Sequence, residues 1–233
     1  MRITGVLILL TAFLSYPIRA DEQPDSLPDN LWNQAVSLYA DSRSLVPGRM
    51  SVVITQYNGR GRLISSQETE YLISLDENGE VVSTVVASRE EGEQPEQQDR
   101  PAGEENGGFE GIERSPFDPD EQSSVSVERS GETVTVNGIR TQPYSYRHQT
   151  GPDTAMVGTA WLSVADGAPV AISYTMEPLP RLVDHFEVRQ TFQAGELGLT
   201  VESVEFEGSG RFLFFRRRVE SRLVFSEYFR VPE

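Results

Sequence analysis

The stretch "GSGRFLFFRRRVESRLVF" (residues 208–225) decides the fold. Four large apolar residues stand in a row, Phe212, Leu213, Phe214 and Phe215. Three arginines follow, and then apolar and polar side chains alternate. Successive side chains of a strand point to opposite faces. By parity, Leu213, Phe215, Val219, Leu223 and Phe225 share one face, interrupted by Arg217 and Ser221. Phe212, Phe214, Arg216, Arg218, Glu220 and Arg222 share the other. The first face is continuous enough to line a core or a hollow. The second begins apolar and turns charged. On it, Arg216 and Arg218 are placed to meet phosphate or acidic groups, or to pair with the chain's own carboxylates.

Neighbouring segments alternate in the same way. Phe186, Val188 and Phe192 share a face, with His185, Glu187 and Arg189 opposite. Ile172, Tyr174 and Met176 share another, with Ser173 and Thr175 opposite. Strand patterns also run through "RMSVVITQY", "GRLISSQETEYLISL", "EVVSTVVAS", "SVSVER", "ETVTVNG", "GIRTQPYSYRHQ", "MVGTAWLSV" and "LGLTVESVEF". "DENG" at residues 76–79 and "ADGA" around Asp166 and Gly167 carry hairpin chemistry. Turns every ten to twelve residues, with no helical crossover between them, predict an antiparallel meander. The one convincing helix lies before it, in "DNLWNQAVSLYADSRS". There Trp32, Ala35, Val36 and Tyr39 recur at helical spacing, and Leu31 and Leu38 widen that face. Pro47 and Gly48 end any continuation.

Residues 1–20 have the form of an export leader. Arg2 precedes the apolar run "ITGVLILLTAFL", Pro17 breaks it, and Ala20 is the expected residue before cleavage. The run is short for a membrane span, although an uncleaved anchor is the alternative. There is no cysteine, so the exported chain has neither disulfides nor a lipid attached through an N-terminal cysteine. The expected location is the periplasm, without a lipid anchor. Residues 21–233 are expected to form a single domain. Hydrophobic residues make up 37% of the chain, which excludes a multispan membrane protein. A net charge of -16 argues against nucleic acid and against tight docking on anionic head groups, leaving only peripheral or transient membrane contact.

An acidic interruption covers residues 89–122. Ordering its 34 residues costs about 1–2 kcal/mol each in backbone entropy, against about 2 kcal/mol for each of Phe109, Ile112 and Phe117 if buried. Most of it is therefore expected to be a mobile, solvated linker, with "SPFDP" able to dock through Phe117. Its acid spacing matches no calcium loop. No nucleophile elbow, phosphate loop or zinc-helix pattern occurs. With two histidines and no cysteine or lysine, a His-rich metal centre, thiol catalysis and Schiff-base catalysis are excluded. His148 and His185 read as ordinary strand or edge residues, with Asp184 and His185 on opposite faces. The chain is expected to be no enzyme and to carry no cofactor.

Each strand thus offers one apolar side, and a short helix shields only part of so wide a sheet. The sheet either closes on itself as a sandwich or barrel, or stays half open over an apolar hollow. The segments "GTAWLSVADGAPVAISYTMEPLPRLV" (residues 158–183) and "EGSGRFLFFRRRVESRLVFSEYFR" (residues 207–230), with the helix and "VPGRMSVVITQYNGRGRLIS" before them, resemble the LolA/LolB-like outer-membrane lipoprotein-sorting superfamily. The resemblance implies an incomplete barrel with a helical lid that binds lipoprotein acyl chains. It also implies a soluble LolA-type carrier, since the lipid-attachment cysteine of a LolB-type acceptor is absent. The acidic insertion and the single lid helix depart from that pattern. The same fold is similar to periplasmic stress-sensing regulators that bind lipids or partner proteins.

The expectation is a mostly-β domain, an open antiparallel half-barrel with one N-terminal amphipathic helix covering its concave face. It binds lipid or an acylated lipoprotein without catalysis. Trp32, Leu38 and Tyr39 would form the lid. Tyr174, Phe186, Val188, Phe192, Leu213, Phe215, Leu223 and Phe225 would form the wall. The alternative is an envelope protein-interaction or regulatory module with a filled core.

Overall fold

In the computed structural model, the structure describes residues 30–92, 114–212 and 215–232. The expected leader over residues 1–20, Leu213 and the middle of the acidic interruption (93–113) lie outside the described residues.

Helix α1 spans Asn30–Asp41. It buries Trp32 and Ala35 fully, and Leu31, Val36, Leu38 and Tyr39 pack partly buried beside them. Helical spacing puts these residues on one stripe, which faces the sheet. Ser42 ends the helix. Its hydroxyl donates to the Leu38 carbonyl at 2.9 Å and accepts from the Leu199 amide at 2.9 Å, so the same atom ties the helix end to the sheet.

The strands follow in chain order as β1 (Leu45–Val46), β2 (Arg49–Asn58), β3 (Leu63–Leu75), β4 (Val81–Gly92), β5 (Val125–Arg129), β6 (Val134–Val136) and β7 (Ile139–Gln149). After them come β8 (Ala155–Ser163), β9 (Pro169–Glu177), β10 (Val183–Gly195), β11 (Gly198–Phe212), β12 (Phe215–Ser226) and β13 (Phe229–Arg230). Eleven form one sheet in the order β4-β3-β2-β12-β11-β10-β9-β8-β7-β5, with β6 also on β7. Every pairing is antiparallel. Strands β1 and β13 make a separate two-stranded ribbon. β4 and β5 end the sheet on opposite sides and do not pair with each other, so the sheet is open. Of the two closures left open by the sequence, self-closure is the one the structure rejects.

Residues directly opposite in a ladder share a face. Leu223 pairs with Val204 and Val52, and Val219 with Gly208 and Gln56. Val188 pairs with Phe206 and Tyr174, and Tyr174 with Gly158. Gly158 pairs in turn with Tyr146. These ladders trace one continuous apolar concave face from β2 to β7. The convex face is ionic. Arg218 pairs with Glu207 at 3.1 Å and Glu220 at 2.6 Å, and Arg216 meets Asp184 at 3.4 Å. The two arginines singled out in the opening stretch thus meet the chain's own carboxylates.

Residues 114–124 strap the helix down. Asp118 caps the 3-10 turn Pro119–Ser124 by accepting from the Asp120 amide at 2.8 Å. Phe117 is fully buried with its ring centroid 5.0 Å from that of Trp32 and 6.2 Å from that of Phe192. Trp32 also meets Tyr144 at 6.0 Å and Tyr146 at 6.3 Å. Burying an indole of this size is favourable by on the order of 5 kcal/mol. Arg43 at the helix end reaches Asp118 and Asp120.

Three expectations change. The interruption at 89–122 is structured at both ends, because residues 89–92 complete β4 and residues 114–122 gain the aromatic cluster that composition does not register. A bulge between Val183 and His185 breaks the alternation that was to set Asp184 and His185 on opposite faces. His148 is no edge residue. It is fully buried beneath the strap, with Nε2 3.2 Å from Oε2 of Glu121.

Candidate functional site

The helix and strap cover the concave face over β7 to β11, and there the interior is filled. Of the expected lid, Trp32 is a core residue at 1% exposure, whereas Leu38 and Tyr39 are half-buried at the rim of the filled part. Of the expected wall, Tyr174, Val188, Phe192 and Leu223 are buried, and Phe186 and Phe225 are half-buried. Phe215 opens β12, and Leu213 is outside the described residues.

Among the described residues, this face holds two cavities of note. One, of about 590 Å³, lies past the C-terminal end of α1. Tyr39, Phe192, Leu199, Phe225 and Tyr228 are among its lining residues, which joins one expected lid residue to two expected wall residues. Burial pushes the Tyr39 hydroxyl up, and it pushes that of Tyr228 up further. Tyr228 donates its hydroxyl to the Val201 carbonyl at 2.6 Å. The phenols are therefore neutral at physiological pH. Arg43 stands at this cavity already engaged by Asp118 and Asp120.

The other cavity is a groove of about 600 Å³ over the ends of β10, β11 and β12. Val183, Phe186, Phe206 and Val219 give it apolar sides. The Phe186 and Phe206 rings meet edge to face at 5.3 Å. Gly208 and Gly210 supply the floor. A Cβ at Gly208 would lie 2.6 Å from the Phe206 ring, and one at Gly210 would lie 2.5 Å from the Leu182 carbonyl oxygen. Gly210 therefore needs a residue without a side chain, because its close neighbour is backbone, whereas a side chain at Gly208 would displace the Phe206 ring. Both cavities are within the roughly 300–1,000 Å³ of small-molecule sites.

The filled part is polar in places. Burial raises the Tyr174 hydroxyl to about 12, and the Tyr146 hydroxyl lies higher still for the same reason. The Tyr146 hydroxyl and Nδ1 of His148 are buried without a hydrogen-bond partner among the described residues. Among the described residues, no group of three or more His, Asp or Glu side chains is placed to hold a metal ion.

Phe206, Gly208 and Gly210 were not among the expected site residues. Alternation through "VESVEFEG" placed Phe206 on one face with Val204, but only the ladder to β10 says that this face is the concave one.

No protein-family model matches the chain, and no curated protein matches it. Solved structures do align with most of it. A DUF1329 family protein from Desulfovibrio piger aligns over 86% of this chain and 91% of its own, at 11% identity and a TM-score of 0.39. A LolA superfamily protein from Nitrosomonas europaea aligns over 85% and 94%, at 8% identity and a TM-score of 0.38. MucB of Pseudomonas aeruginosa, solved with MucA, aligns over 88% and 100%, at 10% identity and a TM-score of 0.27. At TM-scores this low the likeness carries no argument.

Proposed function

We propose that this protein is a non-catalytic cell-envelope binder of lipid, or of the acyl chains of lipoproteins, and works as a periplasmic carrier. One observation supports the reading above all: a largely apolar face that its own helix covers only in part, with two cavities of about 600 Å³ among the described residues. Apolar surface left open in this way favours a hydrocarbon occupant, by about 0.8 kcal/mol per methylene buried. The neutral phenols and aromatic walls suit the retention of an apolar chain.

Native mass spectrometry of the purified protein tests the proposal. A mass increment that dissociates as lipid is the expected result. Recovery of lipid-free protein that also fails to bind fluorescent fatty probes overturns it.

A second reading, a protein-interaction module, is favoured by β4. All twelve of its residues are exposed, Val81, Val82, Val85 and Val86 included, and its outer edge is unpaired among the described residues. Such an edge accepts a partner's strand. Loss of binding on replacing residues along β4, with lipid content unchanged, would favour this module.

A further inference from the structure

The groove over β10 to β12 has apolar sides, and His185, Ser209, Arg211 and Arg217 also line it. Arg217 pairs in register with Gly210 and with Asn58, and it lies two residues from Val219 and six from the buried Leu223 on an unbroken ladder. It therefore falls on the concave face, at the mouth of the groove that it lines. Its sequence neighbours Arg216 and Arg218 fall on the convex face and are both held by carboxylates. Arg211, which also lines the groove, is held by Asp184 at 3.2 Å. Arg217 has no carboxylate or hydrogen-bond partner among the described residues. Among the described residues no Asp or Glu lines the groove, although acids outnumber arginines by 36 to 20 in the chain.

An arginine without a counter-charge among the described residues, opposite a glycine and lining the same groove as two phenylalanines, is an anion receptor set over a hydrocarbon slot. Guanidinium offers a planar pair of N–H donors that matches a carboxylate or phosphate. We infer that this groove takes a single-chain amphiphile with an anionic head group, the chain lying between Phe186, Phe206 and Val219 and the head group on Arg217. The inference rests on the proposed lipid-binding function and names the class of lipid that this groove selects.

The test uses cis-parinaric acid and its methyl ester, two fluorescent chains that differ only in head-group charge. The protein is expected to bind the acid about tenfold more tightly than the ester, the worth of a charge-assisted hydrogen bond at a partly solvated site. Arg217→Gln is expected to lower acid binding to the level of the ester. Arg217→Lys keeps the charge and is expected to retain part of the preference. Arg216→Gln removes the same charge from the opposite face and is expected to leave the preference intact, which separates a local contact from a change in net charge. Equal binding of acid and ester by the unmodified protein, or an unaltered preference in Arg217→Gln, overturns the head-group assignment and leaves lipid binding standing. Binding of neither probe overturns both. Sedimentation of the same samples detects the competing occupant, a second copy of this chain, and a dimer that persists at saturating probe overturns the assignment.

Discussion

The indole N–H of Trp32 donates to Oε1 of Gln122 at 3.0 Å, joining the helix to the strap across ninety residues of chain. Gln122 completes the joint from its other end, where Nε2 donates to the carbonyls of Pro116 and Asp118 at 2.8 Å each. One side chain therefore holds the turn of the strap and the centre of the lid at once. Gln122→Ala leaves a buried donor and two carbonyls without their partner, and a loss of about 1–3 kcal/mol is expected. Urea unfolding of the two proteins measures it, and a midpoint unchanged by the substitution would show that the strap does not hold the helix.

Glu121 gives the strap a pH limit. Its carboxyl is held below the ordinary 4.5, chiefly by the hydrogen bond from His148, with burial opposing and Arg114 and the Ser124 hydroxyl assisting. A carboxyl lowered in the folded state stabilises fully above its unfolded value, and that stability fades as pH falls through the folded value. The unmodified protein is thus expected to lose stability relative to Glu121→Gln as pH falls from about 6 to about 3. Parallel unfolding midpoints for the two proteins across that range would contradict the coupling.

Filling the groove tests what it holds. Val219 is half-buried on the concave register, facing space instead of a packed neighbour. Val219→Trp is expected to lower fatty-probe binding at least about tenfold, with a stability change within about 1 kcal/mol, because open volume takes the added ring. A large stability loss would mean that the groove is closed in solution.

Exchange of backbone amides should grade the sheet from its middle to its free side. β9 buries Pro169, Val170, Ala171 and Ile172 in succession, while no residue of β4 is buried. Amides of β4 are expected to exchange orders of magnitude faster than those of β9, since local opening there exposes little new apolar surface. Equal protection of the two strands would point to a partner already seated on β4.

Parity carried the sequence analysis where ladders run without a bulge. The whole of β12 from Arg216 to Ser226 keeps strict alternation against both neighbours, so Leu223, Phe225, Arg217 and Arg218 were assigned to the right faces from spacing alone. It failed at Asp184, where a bulge inserts a residue that no composition rule announces. The strap was legible only in part. Docking through Phe117 was open to the sequence, but Gln122 sits in an acid-rich stretch whose average composition is that of a solvated linker, and its value comes from Trp32, ninety residues away. The free guanidinium of Arg217 was illegible as well. Its face followed from parity, but which arginines find carboxylates depends on the neighbouring strands.

The sheet ends at β4 and β5 without a seam, and this sets how it responds to strain. A closed barrel has a girth fixed by strand number and stagger, and enlarging it means tearing a row of hydrogen bonds. A sheet with two loose margins has no girth fixed in this way, and a change of twist spread over its ladders alters its curvature without tearing a row of bonds.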